Sequence, residues 1–172
     1  MHMSDQKEIL ATPAEVYAAL LEPEVLKACV PGASEVSGNP EDGYTATVTQ
    51  KVGPVKATFK GQVTMSDLVE NEKLTISGEG KGGAAGFAKG GAEVSLQATE
   101  NGTLLSYDVE AKVGGKLAQL GSRLIDGFAK KMADQFFANL QSHLGAPEAE
   151  EGGEEADAGE KKGWLKKIVS RD

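Results

Sequence analysis

The chain has 172 residues and a formal net charge of −8. This length predicts one domain with a tail, and an acidic balance without a basic patch interleaved with aromatic residues argues against nucleic-acid binding. The single cysteine, Cys29, excludes an internal disulfide and a multi-cysteine metal site. The sequence shows neither a signal peptide nor an apolar run long enough to span a bilayer, so we expect a cytoplasmic protein.

Two short helices are predicted after a first strand near the N-terminus. Thr12-Pro13-Ala14-Glu15 places an N-cap residue, a proline and a glutamate where a helix begins, and predicts a helix to about Leu20. A second short helix is predicted after Pro23.

Alternation of apolar and polar residues dominates residues 44–113. The alternation is clearest over residues 55–65 and 105–113, and Asn101-Gly102 is the strongest hairpin signal between two such runs. We therefore predict about six antiparallel strands after the short helices, with one apolar face and one polar face.

One long helix is predicted near the C-terminal end of the domain. Apolar residues recur at spacings of three and four from Leu117 to Leu140, and the pattern ends at Gly145 and Pro147. Gly121 and Gly127 fall inside this pattern, where each costs about 1 kcal/mol relative to alanine, and they favour a loosely packed interior.

These elements predict an α+β fold of the helix-grip (START-like) class. In this fold a curved antiparallel sheet wraps around one long C-terminal helix. Because one helix is narrower than the concave face of a six- or seven-stranded sheet, we expect an internal hydrophobic cavity between them.

Seven glycines crowd residues 78–91. The spacing Gly78-x-Gly80-x-x-Gly83 matches the dinucleotide-binding fingerprint, but that fingerprint needs a helix after the turn, whereas residues 92–96 continue as a strand. We therefore interpret the stretch as sharply bent strands, whose missing side chains leave room for the helix or for a ligand.

The sequence predicts no catalytic residue and no metal site. No nucleophile lies beside a base, and neither His2 nor His143 has a second ligand at metal-binding spacing. Cys29 lies among apolar residues and is interpreted as a buried, inert thiol. Gln50 lies in phase with the apolar side of its strand, so it needs a partner from the backbone, a water or a ligand carbonyl, with a structural partner favoured.

The candidate ligand-binding cavity is assigned to the apolar faces of the sheet and the long helix. The same residues also suit a simple packed core, and that alternative stays open at this point. The candidate cavity residues are Gln50, Phe59, Met65, Phe87, Tyr107, Val109, Leu120, Leu124, Phe128 and Met132.

The predicted domain spans residues 4–145, and two segments of opposite charge follow it. Residues 146–160 form an acidic linker, and residues 161–172 carry five bases and one acid. At 3.6 residues per turn, the apolar side chains of this tail share one face, which is typical of a helix in a membrane interface. The membrane-binding candidates are Lys161, Lys162, Trp164, Leu165, Lys166, Lys167, Ile168 and Val169.

The tail is too short to be a stable helix in water, so we expect it to fold on binding. Docking of the same apolar face on its own domain or on a protein partner is an alternative to the membrane, and an idle tail is another.

Four segments resemble the CoxG family of carbon monoxide dehydrogenase proteins, in the START/polyketide-cyclase-like (SRPBCC) superfamily. They are Cys29-Val30-Pro31-Gly32, residues 53–57, residues 80–87 and residues 114–121, within a similarity from about residue 4 to 144. The resemblance implies a helix-grip domain with a hydrophobic cavity, encoded beside molybdenum-containing hydroxylases. Members are associated with recruiting carbon monoxide dehydrogenase to the membrane, a quinone-carrying role fits the fold, and the family offers no catalytic residues.

The expected function is therefore a non-catalytic carrier of a hydrophobic small molecule, either a quinone such as menaquinone or an isoprenoid lipid. It would hold no covalent cofactor and would link a molybdenum-containing carbon monoxide dehydrogenase, or a related hydroxylase, to the inner face of the cell membrane. One alternative is a structural recruitment factor without a ligand. Another is a cyclase-type enzyme, for which Tyr107 and Gln50 are the few inward polar candidates.

Overall fold

Seven antiparallel strands form one curved sheet in the computed structural model, which describes residues 1–145. The strands are β1 (His2–Ile9), β2 (Ala33–Asn39), β3 (Gly43–Val52), β4 (Val55–Val69), β5 (Lys73–Lys81), β6 (Phe87–Ala98) and β7 (Thr103–Gly114). Their order across the sheet is β1-β7-β6-β5-β4-β3-β2, so each strand from β2 onward pairs with its successor and β1 pairs with the last. The predicted linker and tail lie outside the described residues.

Three α-helices accompany the sheet, namely α1 (Pro13–Leu21), α2 (Pro23–Cys29) and α3 (Ser122–Leu144). Helix α1 begins with the predicted capping box. The Glu15 N–H donates to Thr12 Oγ1 at 3.2 Å, and the Thr12 N–H donates to Glu15 Oε1 at 2.9 Å. Because the hydrogen bond from the Thr12 backbone favours the charged form, it lowers the pKa of the Glu15 carboxyl. Sheet and helices together confirm the predicted α+β helix-grip fold.

The long helix begins later than the sequence pattern predicted. Residues Gly115–Leu120 form a 3-10 segment, and Gly121 follows with a φ of 91°, which no α-helix contains. Leu117 and Leu120 fitted the pattern because a spacing of three suits both kinds of helix. Gly121 therefore precedes α3, whereas Gly127 lies inside it as predicted.

The connections between strands divide between two ends of the sheet. The glycine-rich end consists of the β3–β4 turn at Gly53-Pro54, the β5–β6 turn at residues 82–86 and the segment 114–121 before α3. The opposite end consists of the β2–β3, β4–β5 and β6–β7 turns, at residues 40–42, 70–72 and 99–102.

At one position of the glycine-rich end, Gly86, the backbone conformation requires glycine, and this requirement can be tested by substitution. Gly86 has φ 113° and ψ −147°, and an added Cβ would lie 1.9 Å from the Gly114 carbonyl oxygen. We expect Gly86→Ala to lower the free energy of unfolding by about 3 kcal/mol, the upper end of the usual strain range, because it adds overlap to strain. Urea denaturation measures this change.

Gly83→Ala is the matched control for that substitution. Gly83 also has a positive φ, of 60°, but an added Cβ would meet nothing within 4 Å. Its expected loss is therefore only about 1 kcal/mol, from the left-handed conformation alone. Equal losses for the two variants would contradict the overlap at Gly86.

Helix α3 covers the sheet unevenly. Leu140 and Leu105 of β7 are fully buried in the main core, and the Asn139 side-chain amide donates to the Cys29 carbonyl at 2.9 Å. Leu124, near the beginning of the helix, is 40% exposed. The C-terminal half of α3 thus packs on the core, whereas its N-terminal half leaves the glycine-rich end less covered.

Candidate functional site: an apolar cavity under helix α3

An apolar cavity of about 290 Å³ lies between the concave face of the sheet and the helices. The helices and the α2–β2 connection contribute Leu20, Leu26, Val30, Ala133, Phe136 and Phe137. The strands contribute Val36, Tyr44, Ala46, Val48, Val63, Met65, Ile76, Ala92, Val94, Leu105, Tyr107 and Val109.

The size of this cavity distinguishes it from a packing defect. Protein interiors contain few voids larger than a water molecule, which occupies about 30 Å³ in the liquid. Apolar cavities of about 150 Å³ stay dry and accept a benzene-sized molecule. A cavity of about 290 Å³ is close to the lower limit of ligand pockets, which is roughly 300 Å³. It therefore suits a ring-sized apolar group.

The ring of Tyr107 lines the cavity, whereas its hydroxyl is buried within the wall, and the surface that faces the cavity is entirely apolar. The Tyr107 hydroxyl forms no hydrogen bond, and no other buried side-chain polar atom in residues 1–145 shares this state. By contrast, the Tyr44 hydroxyl donates to the Leu21 carbonyl at 2.6 Å. Burial raises the pKa of the Tyr107 phenol, so the hydroxyl keeps its proton and remains a donor. Burial of such an unpaired group costs about 1–3 kcal/mol.

Aromatic contacts hold Tyr107 in place. Its ring stacks on that of Phe137 of α3, with centroids 5.3 Å apart and planes at 22°. Phe137 in turn meets Phe136 edge to face, with centroids 5.2 Å apart and planes at 90°. Both arrangements are favourable for aromatic pairs, so the hydroxyl has a defined position in the wall.

A small charged cluster joins the edge strand β1 to α3 near Tyr107. The Lys7 ammonium donates to Asp134 Oδ1 at 2.7 Å, and the Lys130 ammonium donates to Asp134 Oδ2 at 3.0 Å. The hydrogen bond with Lys7 is the main cause that lowers the pKa of Asp134, and it also raises the pKa of Lys7. The pair is partly exposed, so it contributes position rather than much stability.

An open groove of about 370 Å³ continues along the concave face toward the glycine-rich end. Cavity and groove share the wall residues Ala46, Val48, Val63, Ile76, Ala92 and Val109. Beyond them the groove is lined by small residues, namely Gly61, Gly78, Gly80, Ala88, Gly90 and Ala111. The missing side chains thus leave the open space that the glycine-rich stretch predicted.

Met65, Tyr107 and Val109 are the sequence-predicted residues that the structure places in the cavity wall. Phe59 lines the groove instead, where a Cβ on Gly82 would lie 2.5 Å from its Cε1 atom. The ring of Phe59 therefore occupies space that a larger residue at Gly82 would need. The role of these side chains in ligand binding is a proposal that follows below.

The placement of Gln50 and Phe87 in the cavity wall is corrected by the structure. The Gln50 side-chain amide donates to the Pro31 carbonyl, so its partner is the backbone. Phe87 is 38% exposed and in phase with the outward-facing residues of β6, and its ring lies over Gly114. The alternation of Val94 and Leu96 later in the same strand, followed back to residue 87, gives this outward direction, and the prediction did not use it.

Four helix residues expected in the wall also lie outside it. Leu120 belongs to the 3-10 segment, and Leu124 packs over the β3–β4 turn. Phe128 and Met132 continue the stripe of Phe136 toward the N-terminus of α3, beyond the residues that line the cavity. Leu120 was misplaced because α3 begins after it. The other three residues were misplaced because α3 covers the sheet unevenly.

Ala133 and Phe137 line the cavity from α3 and were not predicted from the sequence. Together with the buried Leu140 they occupy positions i, i+4 and i+7, a second helical stripe beside the one that was used. This stripe is visible in the sequence, but the neighbouring stripe contains more large apolar residues and was therefore assigned to the cavity instead.

Other features of the described residues do not suggest a reactive centre. No group of three or more His, Cys, Asp or Glu side chains within residues 1–145 could hold a metal ion. Burial raises the pKa of the Cys29 thiol, and the thiol is a poor nucleophile while protonated. A depression of about 520 Å³ on the outer face is lined by polar side chains such as Glu35 and Lys60, and does not suit an apolar ligand.

A helix that crosses a bilayer must be both long and apolar. None of the helices within residues 1–145 combines the length and the apolar character needed to cross a membrane.

Comparison with protein families gives a match over nearly the whole domain. The family model of the CoxG subunit of carbon monoxide dehydrogenase matches residues 6–145. Comparison with curated proteins gives no significant match.

Several solved structures share the fold. A conserved protein from Geobacillus kaustophilus superposes with a TM-score of 0.78 at 27% identity, over 84% of this chain and 95% of that chain. Protein Ms6760 from Mycobacterium smegmatis gives 0.61 at 14% identity, over 84% and 91%. Ara h 8.0201 gives 0.59 at 15% identity, over 84% and 97%. The last two show the fold alone.

Proposed function

Because the chain belongs to the CoxG family of carbon monoxide dehydrogenase proteins, we propose that it is a non-catalytic carrier of a hydrophobic ligand that bears an acceptor oxygen. A quinone fits this description best, and menaquinone is the quinone that we propose. The alternative ligand is an isoprenoid lipid with an oxygen-bearing head group. The protein would need no covalent cofactor.

The observation that carries this proposal is a cavity of about 290 Å³ with an apolar surface, in whose wall the Tyr107 hydroxyl is buried without a partner. A strongly polar molecule would find no partner on the surface of this cavity, and a ligand carbonyl would pair with the buried phenol only after the Tyr107 side chain turns toward the cavity. A quinone head offers a flat apolar ring for the aromatic side chains and a carbonyl for the phenol. A hydrogen bond of this kind is worth about 0.5–1.5 kcal/mol, and burial of the ring supplies the larger share.

The groove supports the same class of ligand. A cavity of about 290 Å³ accepts a ring system but not a long isoprenoid chain. The open groove, with its glycine and alanine lining, continues from the cavity and gives such a chain an apolar path. We therefore propose that the head lies beside Tyr107 and the chain lies toward the glycine-rich end.

The site of action that we propose is the cytoplasmic face of the cell membrane. A long-chain quinone is too apolar to leave a bilayer unaided, so a soluble dehydrogenase needs a carrier to reach it. The basic tail at 161–172 would hold the protein at the membrane through residues such as Trp164 and Lys166. The proposal needs residues 146–160 to join the bound tail to a domain that turns between membrane and enzyme, and a random-coil chain of 15 residues reaches roughly 20 Å. The enzyme partner would be a molybdenum-containing carbon monoxide dehydrogenase or a related hydroxylase.

The test is native mass spectrometry with lipid identification on full-length protein purified without detergent. We expect a quinone or isoprenoid to co-purify, or to bind when the protein is incubated with vesicles that contain menaquinone. An extract without either, and no uptake from such vesicles, would overturn the carrier proposal. Vesicle binding by a protein that stays empty would favour the structural recruitment factor instead.

A further inference from the structure

Charge is segregated between the two ends of the domain. The three segments that form the glycine-rich end and its flanks, residues 51–60, 79–91 and 110–126, contain eight Lys or Arg and three Asp or Glu. The remainder of residues 1–145 contains five bases and fifteen acids. A domain that is acidic overall therefore has one basic end, and that end lies where the groove leads.

The strand register places several of these lysines side by side. Lys60 of β4 lies directly opposite Lys81 of β5, and Lys89 of β6 lies directly opposite Lys112 of β7. All four are exposed on the outer face of the sheet. Like charges in directly opposed positions destabilise a sheet. Lys89 also lies opposite Glu79 of β5, whereas Lys60 and Lys81 have Thr47 and Phe87 on their other sides. The fold therefore gains nothing from the Lys60–Lys81 pair, which an anionic surface would neutralise.

Exposed apolar side chains lie among the same charges. Phe87 and Leu124 are 38% and 40% exposed, and Phe87 lies opposite Lys81 in the register. Leu68 and Val69 are exposed to a similar degree at the opposite end, but that end is acidic. Among residues 1–145 the glycine-rich end is thus where exposed apolar groups and excess positive charge coincide.

We propose that the glycine-rich end is a docking surface for an anionic lipid bilayer. The lysines contact the headgroups, the Phe87 ring and the Leu124 side chain insert between them, and the groove then opens toward the acyl chains. This surface belongs to the domain itself and is separate from the tail at 161–172. The use of the groove for ligand transfer rests on the proposed function, but the docking does not require a bound ligand.

The first experiment measures binding of the full-length chain to vesicles of phosphatidylglycerol and phosphatidylcholine. The variant Lys60→Gln, Lys81→Gln, Lys112→Gln removes three charges from the glycine-rich end. Since each lysine near an anionic leaflet changes partitioning by about fivefold, we expect binding to weaken at least tenfold. The control variant, Lys27→Gln, Lys73→Gln, Lys131→Gln, removes the same number of exposed charges elsewhere, and we expect a change of less than twofold.

The second experiment locates the contact. The chain has one tryptophan, so Trp164→Phe gives a background in which a new tryptophan reports alone. Phe87→Trp in this background should show a blue-shifted emission on vesicle addition and quenching by brominated lipid. Leu68→Trp, an equally exposed site at the acidic end, should show neither.

Three results would overturn the docking surface. Equal weakening in both triple variants would mean that net charge alone matters, and vesicle contact at Leu68→Trp rather than Phe87→Trp would place the bilayer at the wrong end. If the lysines instead hold the acidic segment 147–160 or an acidic protein, their removal would leave vesicle binding unchanged or stronger. If the protein docks on vesicles but never takes up quinone, the docking proposal stands and the carrier proposal fails.

Discussion

Ala133→Phe is expected to abolish ligand binding, with a loss of at least 100-fold in quinone affinity, while ligand-free protein keeps or gains stability. Ala133 lines the cavity from α3, so a benzyl group at this position projects into the space of about 290 Å³. Filling a real void buries an aromatic ring, which is worth about 1.5–3 kcal/mol. In a packed core the same change would overpack the interior and cost about 1–3 kcal/mol.

The sign of the stability change therefore separates a carrier from a recruitment factor with a solid core. Urea denaturation of delipidated protein gives the free energy of unfolding, and titration with menaquinone in vesicles gives the affinity. Ala138→Phe is the control, because Ala138 is exposed on the outer side of the same helix. If Ala133→Phe destabilises the protein and quinone uptake is unaltered, the cavity is not the ligand site.

Tyr107→Phe is expected to weaken quinone binding by about threefold to tenfold without any loss of stability in the ligand-free protein. The hydroxyl has no partner within the described residues, so its removal relieves a buried unpaired donor. The affinity lost corresponds to one hydrogen bond to a ligand carbonyl. The affinity for a hydrocarbon analogue that lacks the carbonyl should remain within twofold of the wild-type value.

Tyr44→Phe is the matched control in the same wall. Its hydroxyl donates to the Leu21 carbonyl at 2.6 Å, so its removal should cost about 1 kcal/mol of stability and leave quinone affinity unchanged. The two tyrosines should thus show opposite patterns. A loss of stability in Tyr107→Phe like that in Tyr44→Phe, with no change in affinity, would remove Tyr107 from the proposed site.

The alternation of apolar and polar residues predicted most of the strands of the sheet. The alternation that ends at Met65 and the one that contains Tyr107 and Val109 were long and unbroken, so the inward phase of these residues was readable without a structure. The capping box at Thr12 and Glu15 was equally secure, because both members must be present for it to form.

The sequence patterns led to wrong predictions where a turn of small residues interrupts the alternation, and where one residue spacing suits two kinds of helix. Phe87 follows a turn of small residues that carries no phase, so its outward direction follows only from Val94 and Leu96 later in its own strand. Leu117 and Leu120 repeat at three, which a 3-10 segment and an α-helix share. The positive φ of Gly121, which decides between them, is a property of the folded backbone.

The pairing of β1 with β7 joins residues about 100 positions apart, such as His2 and Glu110, and this has a consequence for synthesis on the ribosome. The first strand to emerge must wait for the last before it gains a neighbour. Helix α3 follows later still. At 5–20 residues per second, the chain from Gly114 to Leu144 takes roughly 2–6 s to make. During that interval the concave apolar face lacks its cover, and a nascent chain presents to chaperones the same surface that the finished protein offers to its ligand.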